Sequence, residues 1–208
     1  MKYRFIYLAS QSPRRAQLLN QLGVAHRPLL PDPYEDAEAL EAVEQGETAE
    51  HYVRRVTALK LEAALQRRHR RGLPEAPALC ADTTVVLGRR ILGKPDGPAQ
   101  ARAMLEALSG RTHRVLTAVA VGLGRQRLAA LSVSRVRFEP LTPDAIDAYV
   151  RSGEPFGKAG AYAIQSAAAA WVPHIEGSYS GIMGLPLHET ASLLRRSKVD
   201  FELAVSQG

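Results

Sequence analysis

Four polar side chains near the amino terminus have the chemistry expected of an anion site: Ser10, Ser12, Arg14 and Arg15. They follow an apolar run at residues 5–9 and precede leucines at helical spacing, which predicts a strand that turns into a helix. Ser12 suits the N-cap position, and Pro13 suits the first position of the helix. The free N–H groups of the helix start and the two guanidiniums favour phosphoryl oxygens. An ordinary capped helix with solvated arginines explains the same residues about equally well.

A second candidate is Asp82, a carboxylate at the end of a short buried strand predicted at residues 78–81. Open α/β sheets bind their ligands at such strand ends. Glu35, in a loop, could supply a second oxygen ligand, and two carboxylates with substrate phosphates are a typical arrangement around Mg²⁺. Alternatively, Asp82 caps a turn for Thr83 and Thr84, and Glu35 is one more solvated acid.

Other motifs argue against several common kinds of site. The sequence GRRILGK at residues 88–94 begins like a phosphate-binding P-loop, but Pro95 stands where Ser or Thr would bind Mg²⁺. Lys94 remains as a cation at a strand end. The six histidines lack zinc-site spacing, and residues 178–180 lack the pattern of a serine nucleophile. His113 is expected to be a satisfied hydrogen-bonding residue rather than a ligand.

The distribution of charge restricts the partners. The 208-residue chain has a net charge of +6, yet residues 32–50 hold eight acids and no Lys or Arg. The basic remainder could attract nucleic acid or a small polyanion, but an aromatic content of 6% argues against a stacking platform for nucleic acid. One cysteine fits a reducing compartment, and no apolar run is long enough to span a bilayer. We therefore expect a small-molecule ligand, a cytoplasmic location, and neither a membrane nor a nucleic-acid partner.

Predicted strands and helices alternate along the chain, which favours an α/β fold. A helix capped by Thr48 is predicted at residues 49–71, with a buried side formed by Tyr52, Val53, Val56, Leu59, Ala63 and Leu65. Its basic end, residues 67–71, is expected to lie in water. The other helices are predicted at residues 13–22, 98–108, 143–151 and 186–196. Strands are predicted at residues 5–9, 26–30, 78–81, 84–87, 91–94, 115–123, 128–138, 162–164 and 171–172, and residues 177–185 are predicted to be irregular.

In this order, the motifs resemble the Maf family of nucleoside triphosphate pyrophosphatases. The resemblance runs from residue 7 to about residue 194, and it rests on LASQSPRR at residues 8–15, Glu35, Lys60, ADT at 81–83, GKP at 93–95, LSGRTH at 108–113, KAGAYAIQ at 158–165, GSY at 177–179 and MGLPL at 183–187. The chain departs from the family at two positions. Gly157 stands where many relatives have Asp, and Ser166 stands where relatives usually have Gly.

The resemblance implies a single domain over residues 1–208, with a two-lobed mixed α/β fold around a nucleotide cleft, related to the inosine triphosphate pyrophosphatase fold. It implies hydrolysis of a nucleoside triphosphate to the monophosphate and pyrophosphate with a divalent metal, Mg²⁺ or Mn²⁺. The segment at residues 158–165 is similar to the branch that acts on dTTP and UTP. The alternatives are the sister branch associated with 7-methyl-GTP, and a nucleotide-binding regulator of cell division with little turnover. A homodimer is compatible with the family.

The resemblance also implies roles for the residues that match the family's motifs. Asp82 is expected to accept the proton of the attacking water, to hold the metal together with Glu35, or both. Lys60 and Lys94 are expected to act in catalysis by neutralising charge on the phosphates. Seven positions are expected to bind substrate. Ser10, Ser12, Arg15 and Lys158 are four of them, and the other three, Arg14, Thr83 and Gln165, are also linked to substrate choice. The Gln165 amide could pair with O4 and N3–H of thymine or uracil.

Overall fold

The structure, a computed structural model, describes residues 2–35 and 39–202. Within these residues it contains seven strands: β1 (Ile6–Leu8), β2 (His26–Pro28), β3 (Ala78–Leu87), β4 (Arg90–Leu92), β5 (Thr112–Leu123), β6 (Gln126–Arg137) and β7 (His174–Glu176). They form one sheet in the order β2-β1-β3-β5-β6-β7, and β4 pairs with β3 beside this path. β1 is parallel to β2 and β3, and the other pairs are antiparallel.

Six α-helices lie in the same described residues: α1 (Pro13–Gln21), α2 (Ala49–Arg70), α3 (Pro98–Leu108), α4 (Pro143–Arg151), α5 (Tyr179–Met183) and α6 (Leu187–Arg196). Two of them begin as the sequence predicts, because the hydroxyls of Thr48 and Thr142 each accept a backbone N–H at 3.3 Å. The fold is therefore mixed α/β, as predicted. No helix in the described part of the chain is long and apolar enough to cross a membrane.

The side chains of β3 alternate between two cores, as expected for successive residues of a strand. Ala78 and Cys80 pack with leucines of α2, whereas Leu79 and Ala81 pack with leucines of α1 and α6. Helices therefore cover both faces of the sheet at β3. A third core surrounds Phe138 and joins α3 and α4 to β3 and β5.

One edge of β3 has a gap between its neighbouring strands. The other edge pairs with β5 from residue 78 to residue 86. On the gapped edge, β1 pairs with residues 78 and 79, and β4 pairs with residues 85–87. On this edge, no described strand pairs with the residues between them, which include Asp82 and Thr83. Two strands separated at Asp82 were predicted, and this is wrong, because β3 is continuous and Asp82 lies in its middle.

The strands predicted at residues 162–164 and 171–172 are also wrong. Gly160 and Ala161 both have positive φ, 69° and 62°, so the chain turns where a strand would have to begin. A Cβ on Gly160 would lie 2.9 Å from the Cβ of Val85, so only glycine fits this close approach. Short 3₁₀ helices occupy Ala159–Ala161 and Ala167–Trp171. The segment at residues 177–185, predicted to be irregular, contains α5.

The basic end of α2 is partly buried rather than solvated. The Arg67 side chain is only 4% exposed and binds the Glu35 carboxylate, and it donates to the Leu29 carbonyl at 2.9 Å. Arg70 also binds Glu35, and Arg71 binds Asp32. These arginines therefore attach the chain that follows β2 to the end of α2. The buried side of α2 was predicted correctly except at Leu59, which is 39% exposed, and Ala63, which is half-buried.

Candidate active site

A cleft of about 480 Å³ opens beside the gapped edge of β3. This volume is within the range of small-molecule sites. Among the described residues, the charged side chains that line it are five cations and two carboxylates: Arg14, Arg15, Lys60, Lys94, Lys158, Glu41 and Asp82. Six of these seven were predicted as site residues. The structure therefore brings cations from distant parts of the chain to one cavity that also contains Asp82.

A row of alternating acids and bases crosses this cleft. Lys60 Nζ donates to Asp82 Oδ1 at 2.6 Å, and the same ammonium lies 2.7 Å from Glu41 Oε1. Glu41 Oε2 in turn lies 3.0 Å from Lys94 Nζ. The side chains of Lys60 and Asp82 are 19% and 12% exposed, so little water competes with their contact. We call these four residues the acid–base row.

Burial and neighbouring charge act in opposite directions on the acid–base row. Burial alone would lower the pKa of Lys60, but the carboxylates of Asp82 and Glu41 outweigh it and hold this pKa above its ordinary value. Burial alone would raise the pKa of Glu41, but Lys60 and Lys94 outweigh it and hold this pKa below its ordinary value. At neutral pH, Lys60 is therefore an ammonium and Glu41 a carboxylate. These are the charge states that bind phosphate oxygens and divalent cations, respectively.

Arg15 reaches the cleft with neutral hydrogen-bond partners. Its Nε donates to the Gly184 carbonyl at 2.9 Å, and its Nη1 donates to Ser10 Oγ at 3.1 Å. Its Nη2 donates to Thr83 Oγ1 at 3.5 Å, and Thr83 is itself 3.0 Å from the hydroxyl of Thr117. Burial lowers the pKa of Arg15, although a guanidinium remains charged in proteins. Because these partners are uncharged, they fix the guanidinium without neutralising it, and its charge remains available to an anion.

The start of α1 differs in detail from the prediction. Ser12 has the extended backbone of an N-cap residue, but its side chain makes no capping hydrogen bond. Instead, its N–H donates to Ser10 Oγ at 3.2 Å. Both serines line the cleft. Ser10 therefore connects the backbone at the start of α1 to the Arg15 guanidinium.

Lys158 and Gln165 also line the cleft. The Lys158 ammonium donates to the backbone carbonyl of Glu154. Burial, together with the neighbouring charge of Arg14, lowers the pKa of Lys158. Gln165 is exposed and lines the cleft. No hydrogen bond of its amide to another described residue is found, so the amide can pair with a ligand.

The backbone that carries Gln165 is fixed from the core side. The Tyr162 hydroxyl lies 2.7 Å from His113 Nε2, and Ser166 Oγ donates to the Ala163 carbonyl at 2.7 Å. His113 is thus a buried hydrogen-bonding residue, as predicted, although its Nδ1 has no partner. Burial lowers the pKa of His113 to about 4. Ser166 makes a side-chain contact that a glycine at this position could not make.

Glu35 does not reach the cleft. Its carboxylate accepts hydrogen bonds from Arg67 Nε at 3.0 Å and from Arg70 Nη2 at 2.7 Å. Arg67 lowers the pKa of Glu35 to about 2. The structure therefore contradicts the predicted pairing of Glu35 with Asp82 at a metal, and Glu41 is the second acidic side chain of the cleft. Nothing in the spacing of the acid-rich residues 32–50 distinguishes Glu41, so sequence reasoning missed it.

The carboxylates of the cleft fit a divalent cation that is also held by a phosphate ligand. Among residues 2–35 and 39–202, no group of three or more His, Cys, Asp or Glu side chains could hold a metal by itself. Mg²⁺ commonly uses one or two carboxylates together with substrate phosphates and water. Asp82 contacts Lys60 through Oδ1 only. Asp82 and Glu41 are therefore the residues that could hold such an ion.

The fold is mixed α/β, and its cleft lies beside the gapped edge of β3. The lining is cationic and contains two carboxylates, so the cleft is suited to a phosphate-rich ligand. The chain belongs to the family of Maf-like proteins, whose model matches residues 5–197. A dTTP/UTP pyrophosphatase of Polaromonas sp. (strain JS666) is 65% identical over 191 residues, which are 92% of this chain and 95% of that protein. The dTTP/UTP pyrophosphatase of Albidiferax ferrireducens is 63% identical over 92% of this chain and 96% of its own length. That of Cupriavidus pinatubonensis is 63% identical over 95% and 98%.

Proposed function

We propose that this protein is a nucleoside triphosphate pyrophosphatase, a hydrolase that converts dTTP and UTP to the nucleoside monophosphate and pyrophosphate. The observation that carries the proposal is the acid–base row, in which Asp82, Lys60, Glu41 and Lys94 meet in one cleft with three further cations. The relatives named dTTP/UTP pyrophosphatase support the choice of substrate.

The charge balance of the cleft suits a triphosphate. Five cationic side chains face two carboxylates, so the lining has a surplus of positive charge. Arg15 is already oriented by neutral oxygens, and the phosphates can compete with Glu41 for Lys94. Cleavage between the α- and β-phosphates leaves negative charge on the departing pyrophosphate. Cations fixed in a water-poor site stabilise that charge, which is the main source of catalysis in phosphoryl-type transfers.

Asp82 is the residue best placed to act as the base. In the proposed reaction, a water oxygen attacks the α-phosphorus, the bond from that phosphorus to the bridging oxygen breaks, and the water proton passes to the carboxylate. Lys60 holds Oδ1 of Asp82, which leaves Oδ2 for the water or for a cation. The shielded contact keeps the carboxylate in one orientation, and such positioning lowers the barrier.

We expect the activity to need Mg²⁺ or Mn²⁺, held by Asp82 and Glu41. A bound divalent ion would neutralise charge on the phosphates and orient them. Asp82 and Glu41 already contact lysines, so these carboxylates would become available to the ion once the ammonium groups bind phosphate oxygens. Metal and nucleotide are therefore expected to bind together rather than independently.

We assign recognition of the nucleobase to Gln165. A carboxamide offers one acceptor and two donors, which match the N3–H and O4 of a thymine or uracil ring. Tyr162 and Ser166 fix the backbone on either side of it through their hydroxyls. A site built to hydrogen-bond a group discriminates strongly against analogues that lack it.

The test is a substrate panel with product identification. The purified protein is incubated with dTTP, UTP, 7-methyl-GTP and ITP, each with Mg²⁺, with Mn²⁺ or with a chelator. The expected products from dTTP and UTP are the monophosphate and pyrophosphate. Failure to convert either nucleotide, or release of a diphosphate with inorganic phosphate, would contradict the proposal.

The partners and the location follow from the same proposal. A small nucleotide is the expected ligand, with no nucleic-acid partner, and the cytoplasm is the expected location because nucleotide pools are found there. A homodimer stays a prediction, which light scattering on the purified protein can check. Binding of nucleic acid that weakens steeply with salt would argue against the assignment of a small ligand.

A further inference from the structure

Two successive backbone carbonyls of the segment that carries Glu41 are bound by side chains of α2. The Tyr52 hydroxyl donates to the Glu41 carbonyl at 3.0 Å. Arg55 Nη2 donates to the Ala42 carbonyl at 2.8 Å. Both side chains come from the first two turns of α2. The backbone on which Glu41 stands is therefore attached to this helix at two consecutive residues.

Arg55 is itself held in place. Its Nε lies 2.8 Å from Glu47 Oε1, and its Nη2 lies 2.7 Å from Glu47 Oε2, which is a bidentate pair. The side chains of Arg55 and Glu47 are 19% and 2% exposed. A guanidinium that is fixed in this way loses little further freedom when it binds a carbonyl. Glu47 directly precedes the capping residue Thr48, so the start of α2 and the Glu41 segment are joined through Arg55.

Helix α2 also holds the other end of the Glu41 side chain. Lys60, further along the helix, lies 2.7 Å from Glu41 Oε1. Tyr52 and Arg55 thus fix the backbone of Glu41, while Lys60 contacts its carboxylate. Burial, with the carboxylates of Asp82 and Glu41 nearby, raises the pKa of Tyr52 to about 12, so its hydroxyl remains a donor. Small displacements of a reacting or ligating group can cost large factors in rate.

We propose that Arg55 and Tyr52 are positioning residues, which act on the reaction by holding Glu41 against Lys60 and Lys94. The proposal rests on the proposed function, because it assigns a task to Glu41 in the pyrophosphatase site. Arg55 has Glu47, Glu44 and the Ala42 carbonyl as its partners and does not line the cleft, so its effect on substrate must pass through the segment that carries Glu41.

The experiment is a double-mutant cycle on dTTP hydrolysis. The variants are Arg55→Gln, Glu41→Gln and the combination of the two. Arg54→Gln is the control, because Arg54 is the adjacent arginine of α2 and is exposed. Kinetic constants are measured across a range of Mg²⁺ concentrations, and thermal unfolding is recorded for each variant. Tyr52→Phe, which removes one hydroxyl, provides a milder second variant if Arg55→Gln does not fold, and it is tested in the Glu41→Gln background as well because Tyr52 also lines the cleft.

We expect Arg55→Gln to lower kcat/KM by about tenfold or more and to raise the Mg²⁺ concentration needed for half-maximal activity. Arg54→Gln should leave both quantities at their wild-type values. In the Glu41→Gln background, Arg55→Gln should cause little further loss, because residues that act as a unit have non-additive effects. Tyr52→Phe should change the same quantities in the same direction, by less.

Three results would overturn the proposal. Wild-type kinetics in Arg55→Gln and Tyr52→Phe would show that Glu41 does not need these contacts. An undiminished loss from Arg55→Gln in the Glu41→Gln background would show that Arg55 acts elsewhere. Full activity of Glu41→Gln would remove the task of Glu41 while leaving the pyrophosphatase function intact. Absence of dTTP hydrolysis in the wild-type protein would instead contradict the proposed function itself.

Discussion

Lys60 Nζ lies 2.6 Å from Asp82 Oδ1, and it joins a residue of α2 to the middle of β3. The two residues are 22 positions apart in the chain, and both side chains are mostly shielded from water. A charge pair in such surroundings costs desolvation, so it does little for net stability. Its effect is on orientation: it holds one carboxylate oxygen of Asp82, a residue that lines the cleft, and leaves the other oxygen outside this contact.

Replacement of Asp82 by Asn should lower kcat for dTTP by about 10²- to 10⁴-fold, the usual contribution of a positioned base. Asn keeps the shape of the side chain but cannot accept the water proton. Binding of dTTP, measured by calorimetry, should weaken much less than turnover. Activity close to that of the wild type would exclude Asp82 as the base.

Glu35→Gln should affect the stability of the protein, whereas Glu41→Gln should affect its catalysis. Glu35 neutralises the buried Arg67 outside the cleft, so its replacement should lower the free energy of unfolding by about 2 kcal/mol and leave kcat unchanged. Glu41 lies between two lysines in the cleft, so its replacement should lower kcat/KM. Urea unfolding and steady-state kinetics on both variants distinguish the two roles. Loss of turnover only in Glu35→Gln would reverse the assignment.

Gln165→Ala should lower kcat/KM for dTTP and UTP by about 10- to 100-fold, since two hydrogen bonds to the base are lost. The side chain is exposed, so the melting temperature should stay close to that of the wild type. Hydrolysis of other triphosphates should fall less, which reduces the preference for pyrimidines. An equal fall in kcat/KM for all nucleotides would show that the Gln165 amide does not recognise the nucleobase. Ser12→Ala is a suitable comparison, because Ser12 also lines the cleft but is not assigned to the base.

The free energy of unfolding should decrease as the pH is lowered, because of His113. Burial lowers its pKa from 6.5 to about 4, so the folded protein keeps this ring neutral while the unfolded chain protonates it. The stabilisation is complete above about pH 6.5 and is lost as the pH falls toward 4, up to about 3 kcal/mol. Glu35, with a pKa of about 2, contributes only at lower pH. Urea unfolding between about pH 7.5 and pH 5 should show this slope in the wild type.

The matched variant is His113→Gln, which can still hydrogen-bond Tyr162 but does not titrate. It should be less sensitive to pH across the same window, whatever its stability at neutral pH. An identical slope in both proteins would show that other groups cause the loss.

Local patterns predicted most of the elements because their causes are local. The helix at Pro98–Leu108 and the strand pair β5 and β6 follow from proline, glycine and apolar periodicity. The missed strands at residues 162–164 and 171–172 depend on contacts with distant residues. Val85 leaves no room for a side chain at Gly160, and Tyr162 is held by His113. No window of neighbouring residues contains that information.

The cations of the site were predictable from type and motif, but the second carboxylate was not. Glu35 and Glu41 lie in the same acid-rich run, but different residues of α2 bind them, and Glu41 also contacts Lys94. Arg67 near the end of this helix binds Glu35, and Lys60, about two turns earlier, binds Glu41. Because the basic end of α2 was expected to lie in water, the pairing of Glu35 with Arg67 was not predicted. The division into two lobes and the homodimer stay predictions.

The gap beside β3 has a thermodynamic consequence. Ser10 lies two residues after the end of β1, Lys94 lies two residues after the end of β4, and both residues line the same cavity. A bound nucleotide would therefore bridge two strands that do not pair with each other, in place of a strand segment. Its binding energy would be linked to folding, with a gain of about 2.7 kcal/mol at a hundred times its dissociation constant. Binding of a single nucleotide would then slow amide hydrogen exchange in both β1 and β4.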